Sequence, residues 1–370
     1  MSSNIRPSGV FDTTYSDDIA LNRTRGEKAV SYGIVALLLL LPLLSLEGPF
    51  GISLVPQSLV GTIIRIAILV ISVQGLNILT GYTGQVSLGH AAFMAVGAYS
   101  GAYLARQFGF SFWLALPTSA LFTGVIGLLF GLPSLRVKGF YLSMATLAAQ
   151  FIIPWTLRYP LEHISNGSRP LDVPVPDLFG INFGADGAMY YIVIPLAMAL
   201  SLAARNISRT RTGRAMISIR DNDLAAELLG INVFSYKLQA FFVSAVYAGI
   251  AGCLMAFHTN NISLEFFAPQ VSIELLAMLI IGGAGFPLGP MFGVAFVILL
   301  TQNVIPALVP ALYSALPSLL PFLAPVNVFA ALNPLLFGLA LMIFLIVEPR
   351  GLAYRWEILK ISWKIRPFSY

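Results

Sequence analysis

Apolar runs recur along nearly the whole chain, at 30–46, 57–79, 90–107, 112–132, 140–159, 188–206, 236–257, 272–285, 290–305 and 328–347, with polar intervals between them. A helix that crosses a bilayer needs about 20 predominantly apolar residues. The pattern therefore predicts an all-α polytopic membrane protein with about ten transmembrane helices. The stretch 306–325 is apolar as well, but Pro306, Pro310, Pro317, Pro321 and Pro325 argue against a straight central helix. It reads as a short external or re-entrant segment. The first run resembles a signal-peptide core, yet a long basic segment precedes it and Glu47, Gly48 and Pro49 offer no small-x-small cleavage site. It reads as a retained first span.

One polar stretch falls where the apolar pattern should continue. Residues 79–93, LTGYTGQVSLGHAAF, place Gly81, Gly84 and Gly89 among Thr80, Tyr82, Thr83, Gln85, Ser87 and His90, between two long apolar runs. Non-helical backbone at membrane depth is tolerated only where protein buries it or where it lines a wet cavity. Interrupted helices are also the usual sequence pointer to a transport site. The bland alternative is a turn at the membrane surface. On the sharper reading Thr83, Gln85, Ser87 and His90 line a translocation pathway and, with the local backbone amides, meet a solute. A second glycine-rich break covers 282–289, and Leu88-Gly89 and Leu288-Gly289 close the two breaks alike. That match of two residues raises the expectation of an internal repeat. Gly97 and Gly101, Gly127 and Gly131, and Gly285, Gly289 and Gly293 recur at helical spacing, which predicts close helix packing.

Composition narrows the class. Of 370 residues 57% are hydrophobic and 10% charged, with a mean hydropathy of +0.83, leaving no room for a sizeable soluble domain. Cys253 is the one cysteine, so no disulfide framework can form within the chain. His90, His163 and His258 lack the paired spacing of a zinc site. The sequence has no Gly-Lys dipeptide and hence no nucleotide-binding P-loop, and no hydrolase constellation stands out. The expectation is a protein that is not an enzyme, with no metal or cofactor of its own.

A net charge of +5 does not indicate nucleic acid, because the basic residues sit between spans and are not grouped with stacking aromatics. They report orientation instead. With ten spans and the N-terminus inside, 17 of the 21 lysines and arginines fall on one side, which predicts that both termini are cytoplasmic. The expected organisation is a cytoplasmic arm at 1–28, a membrane domain at 29–349 and a basic cytoplasmic tail at 350–370. Residues 160–187 would form an external loop and 207–235 a cytoplasmic one.

Charges inside the spans are Arg65 and Glu274. A mid-span charge is a functional hypothesis by default, but each lies near the start of its run and is also able to snorkel to the outer interface. In the 207–235 loop, Met216, Ile219, Ala226 and Leu229 are spaced to share one apolar helix face, and Gly230 suits a helix C-cap. Such a helix docks into a partner or lies on lipid. Acidic residues among the arginines favour a protein partner.

Several segments resemble the permease subunits of branched-chain amino acid ABC importers, of the LivM type. They are 75–93, 135–142 (LRVKGFYL), 212–214 with 219–222 (IRDN), 225–231 (AAELLGI), 281–285 (IGGAG) and 348–351 (EPRG). The resemblance implies a subunit of an importer in a bacterial inner membrane. Its partners would be a second permease of the LivH type, two cytoplasmic ATPases that bind the ATP, an extracytoplasmic binding protein and membrane lipid. It also implies that 224–230 is similar to the ATPase-docking loop of such importers, with Leu224 where an acid is usual. Arg214, Arg220, Asp221, Asn222, Ala225, Ala226 and Gly230 are the coupling candidates it points to. Urea, amides or aromatic acids are alternative cargoes within the same class. A self-sufficient secondary transporter or channel is the alternative from another class, and it would have to rely on Glu274, Arg65 and His90.

Overall fold

The computed structural model describes residues 33, 57–134, 140–167, 169–178, 181–182, 186–310 and 328–365. The expected first span, Arg136 and Lys138, and Pro317, Pro321 and Pro325 lie outside these. The chain divides into two units, Met1–Thr62 with Glu357–Tyr370 and Ile63–Trp356. Of the first, the described residues are Gly33 and the helical stretches 57–62 and 357–365. The contacts and sites described below lie within the second.

In chain order, α1 (Gln57–Leu76) runs into a π-helical turn, Asn77–Tyr82, and is followed by α2 (His90–Phe108), α3 (Phe112–Ser134), α4 (Phe140–Arg158) and the short α5 (Glu162–Ser165). Strands β1 (Leu171–Asp172), β2 (Asp177–Leu178) and β3 (Ile181–Asn182) precede α6 (Asp186–Arg209). The 207–235 loop, expected as one amphipathic helix, is two helices, α7 (Arg211–Asp221) and α8 (Asp223–Leu228). Then come α9 (Val233–Thr259), β4 (Asn261–Ile262), a 3₁₀ turn (Leu264–Phe267), α10 (Pro269–Gly282), α11 (Gly289–Leu299), α12 (Val328–Val347) and α13 (Leu352–Ile365). A π turn, Leu300–Val304, prolongs α11, and the chain stays helical to residue 310.

The expected external loop therefore carries some strand. Strand β1 pairs with β4 (Leu171 opposite Ile262) and β2 with β3 (Asp177 opposite Asn182), both antiparallel. Among the described residues these short ladders are the departure from an all-helical fold. Among the described residues, six stretches are long and apolar enough to cross a membrane: Ser58–Tyr82, Phe112–Leu132, Gly187–Arg209, Val233–Thr259, Gly289–Pro310 and Pro334–Ser362. The last runs through a turn at Glu348–Gly351, where Gly351 takes φ +81° and its amide binds the Glu348 carbonyl. The apolar crossing thus belongs to α12, and α13 sets off afresh.

Helix α9 is the packing hub, and small residues explain why. A Cβ on Gly252 would collide with the Met94 carbonyl of α2, and one on Gly249 would sit 2.7 Å from the Thr123 side chain of α3. Gly97 abuts Gly249, Gly101 faces Cys253, and Gly127 faces Ala245. In lipid there is no burial from water to drive helices together, so close backbone approach of this kind does the work. The predicted glycine spacing is realised as α2–α9 and α3–α9 contact. Phe93 closes the junction edge-on to Phe241 at 5.7 Å and to Phe130 at 6.3 Å. Helices α10 and α11 approach in the same manner, Gly282 against Gly289 and Gly293 against the Met278 carbonyl.

Candidate functional site

The first break begins later than the sequence suggests. Residues 79–83 are still helical, and irregular backbone covers 84–89. The wide π turn is what carries the helix on. It keeps Asn77 on the inner side, where Oδ1 accepts the Gly285 amide (2.8 Å) and Nδ2 donates to the Phe286 carbonyl (3.1 Å). One turn earlier, Gln74 Nε2 donates to the Pro287 carbonyl at 2.9 Å. The helical run that leads into the first break is thus bonded to the second break.

Past Gly84, which takes φ +72°, the backbone is paired from several elements at once. The Leu88 amide donates to Thr146 Oγ1 (3.0 Å), and Ser143 Oγ donates to the Val86 carbonyl (3.2 Å). Helix α2 starts with unsatisfied amides, as any helix does, and no side chain of its own caps it. Ser272 Oγ accepts from Ala91 N at 2.9 Å, and Gln150 Oε1 accepts from Ala92 N at 3.0 Å. Gln150 also accepts from Ser272 Oγ (2.8 Å) and donates to the Phe267 carbonyl (2.8 Å). His90 Nε2 lies 2.9 Å from the Ser72 carbonyl.

Thr83, Gln85, Ser87 and His90 are accordingly all buried. Thr83 Oγ1 donates to the Leu79 carbonyl, and Gln85 Nε2 donates to Thr83 Oγ1 (2.9 Å) and reaches the Lys237 carbonyl (3.4 Å). In this conformation the amides of Leu88, Ala91 and Ala92 are taken by side chains of α4 and α10. Buried polar groups in an apolar bundle must be paired, and here neighbouring helices supply the partners. Gln85 Oε1 is buried with no hydrogen-bond partner among the described residues. Arg65 and Glu274 do not join this cluster. Arg65 is exposed on α1, and Glu274 accepts from the exposed Gln270 (3.3 Å).

The second cluster is the α7–α8 pair. Thr210 caps α7 by accepting from Gly213 N, and Asn222 stops it with an extended backbone. Asn222 Oδ1 then caps α8, accepting from Leu224 N and Ala225 N at 3.1 Å each. Gly230, at φ +82°, ends α8 as predicted: its amide binds the Glu227 carbonyl and the Ile231 amide binds the Ala226 carbonyl, the Schellman pattern. Met216, Ile219 and Ala226 are buried. Leu229 is not on their face. It lies 80% exposed, beside Leu224 at 65% and Leu228 at 89%, because the kink at Asn222 breaks the helical register assumed for the four residues. Ala225 and Arg214 are exposed, and Arg214 Nη1 donates to the Arg209 carbonyl.

Arg220 is partly exposed, with 37% of its side chain accessible, and its guanidinium reaches the break. Its Nη1 donates to the Gly81 carbonyl at 2.8 Å, and Nε and Nη2 each lie 3.2 Å from Asp221 Oδ1. A second tie joins Asp223 Oδ2 to Lys237 Nζ at 2.5 Å, and the Lys237 carbonyl is the one that Gln85 reaches. The break and the α7–α8 pair, far apart in sequence, form one continuous site. Asn77, Gln74, Gln150, Ser272 and Thr146 were missed by sequence reasoning. A polar residue inside an apolar run was the available signal for each.

A family model described as "Branched-chain amino acid transport system / permease component" matches residues 58–347. The chain is 33% identical over 234 residues to the LivM high-affinity branched-chain amino acid permease proteins of Salmonella typhimurium and of Escherichia coli, covering 57% of this chain and 55% of each relative. It thus spans about half the length of those two. A probable LivH permease protein of Methanocaldococcus jannaschii is 26% identical over 66% of this chain and 79% of its own. No solved structure matches. The family match spans both breaks, the α7–α8 pair and most of the bundle between them. On this evidence of extent, the chain belongs to the branched-chain amino acid transport system permease component family.

Proposed function

We propose that this chain is a membrane-spanning subunit of an ATP-driven importer, moving amino acids, branched-chain ones first among candidates, across a bacterial inner membrane. The family match over 58–347 carries the reading. Partner ATPases would bind the ATP, a second permease would complete the path, and a binding protein would deliver cargo. The proposed topology is ten crossings with both termini cytoplasmic. Nine would be the described helices α1, α2, α3, α4, α6, α9, α10, α11 and α12, and 30–46 the tenth. The two glycine-rich breaks, closed alike by Leu88-Gly89 and Leu288-Gly289, are compatible with an internal repeat.

Helix α8 is the proposed ATPase dock. Leu224, Leu228 and Leu229 stand exposed on a short helix that is capped at both ends, and fully burying a leucine stabilises a contact by about 1.5–3 kcal/mol. Arg214, Asp221, Ala225 and Gly230 border that surface. Thr83, Gln85, Ser87 and His90 are proposed to line the pathway in a state where the break opens, exchanging their present partners for solute. Arg65 and Glu274 remain candidates for the pathway from the outer half of the spans.

Reconstitution in proteoliposomes with and without the partner ATPases tests the reading. Uptake should require them, and Leu228→Asp should abolish ATPase co-purification while leaving the permease folded. Uptake by the chain alone down an ion gradient would overturn it. Gln85→Ala with Ser87→Ala should lower uptake; unchanged uptake and unchanged substrate-stimulated ATP hydrolysis would place the path elsewhere.

A further inference from the structure

The exposed α8 surface and the side chain that reaches the broken helix are four residues apart. Leu224 lies on the surface, Asn222 caps α8, and Arg220, at the end of α7, reaches the Gly81 carbonyl at 2.8 Å. Gly81 sits near the end of the α1 helical run, where carbonyls lose their intrahelical partners and the helix dipole is negative. The carbonyls of Leu79 and Thr80 are taken by Gln85 N and Gly84 N. That of Gly81 falls to the arginine.

The seat is shaped for a guanidinium. A Cβ on Gly285 would stand 2.7 Å from Arg220 Nη1, and one on Gly84 would stand 3.2 Å from Arg220 Cγ. Glycines from both breaks therefore wall the slot, and Asp221 holds the other edge of the planar fork at 3.2 Å. A lysine offers a point charge without that fork. The second tie, Asp223 to Lys237, fixes the start of α8 beside α9, so a displacement of α8 loads the Arg220 contact instead of swinging freely.

We propose that Arg220 is a transmission residue: seated in the glycine slot, it passes movement of the docking helix to the broken helix and does not itself bind the ATPase. This rests on the importer reading above, and it reassigns Arg220 from motor contact to internal linkage. As a positioning residue it acts on the pathway through Gly81. Losing it should uncouple ATP use from transport without dissolving the complex.

The test uses the full importer in proteoliposomes, with Arg220→Ala, Arg220→Gln and Arg220→Lys. ATPase co-purification, ATP hydrolysis with loaded binding protein, and uptake are measured together. The expected result is wild-type co-purification, sustained hydrolysis and a fall of about tenfold or more in solute moved per ATP for Ala and Gln, with partial recovery for Lys. Loss of co-purification in folded Arg220→Gln would make Arg220 a docking contact and overturn the proposal. An unchanged ratio would reduce it to a local cap and overturn it equally. If Arg220→Ala does not fold, the Gln and Lys variants decide. If the wild-type chain binds no ATPase, the importer reading fails first, and that failure is visible before any variant is compared.

Discussion

Asn77 Oδ1 accepts the amide of Gly285 at 2.8 Å across 208 positions of sequence, and the bond passes beside Gly81, where no side chain fits. A Cβ at Gly81 would collide with Asn77 Oδ1 and stand 2.5 Å from Gly285 N. The bond between the π turn and the second break therefore depends on a third residue being glycine.

Gly81→Ala should lower stability by about 1–3 kcal/mol, the usual range for inserting a methyl group into a filled site. Gly187→Ala serves as a control, since nothing lies within 4 Å of the added carbon and the position is helical. Thermal unfolding in detergent should show a lower Tm for the first and an unchanged or slightly higher one for the second.

Gln150 serves three partners, Ala92 N, Ser272 Oγ and the Phe267 carbonyl. Gln150→Leu leaves the Ser272 hydroxyl proton and the Phe267 carbonyl without this partner in an apolar interior, at about 1–3 kcal/mol for each group left unpaired, while Ala92 N keeps the Gly89 carbonyl. Gln150→Glu, kept neutral by burial, retains an oxygen to accept from Ser272 Oγ and Ala92 N and an O–H to donate to the Phe267 carbonyl. Leucine should therefore be the worse replacement. Equal Tm losses would overturn this.

Asn222→Ala should cost about 1 kcal/mol through lost capping of α8, because Oδ1 accepts from two amides. The effect is local. Hydrogen exchange at Leu224 and Ala225 should quicken while α9 keeps its protection. Asn222→Asp, which retains the acceptor, should restore protection.

Gly252→Ala tests the hub. Its methyl would be driven into the Met94 carbonyl, so α2 and α9 must separate, at about 1–3 kcal/mol. The same change at Gly338, with nothing within 4 Å, should not lower Tm. A loss of equal size at both sites would refute close approach as the basis of α2–α9 packing.

The periodic apolar runs, the glycine spacing, the polar interruption at 79–93 and the glycine-rich one at 282–289 were legible in the sequence, because helix length and close packing in lipid depend on local residue type. So was the cap at Gly230, a requirement of local backbone geometry. Which partner each polar group takes was not legible. Asn77 and Gly285, Gln150 and Ser272, and Arg220 and Gly81 are brought together only by the packing of distant helices, and hydrogen-bond donors carry no mark of their acceptor. Arg220 shows the difference most plainly: its charge and loop position pointed to a partner, whereas an orphan carbonyl at a helix end, placed within 2.8 Å by the fold, gives its guanidinium a seat within the chain. Leu229 went the other way, from an assumed buried face to solvent, because a one-residue kink at Asn222 rotated the helix that carries it. Sequence determined the elements and their breaks; tertiary packing decided what the breaks are bonded to.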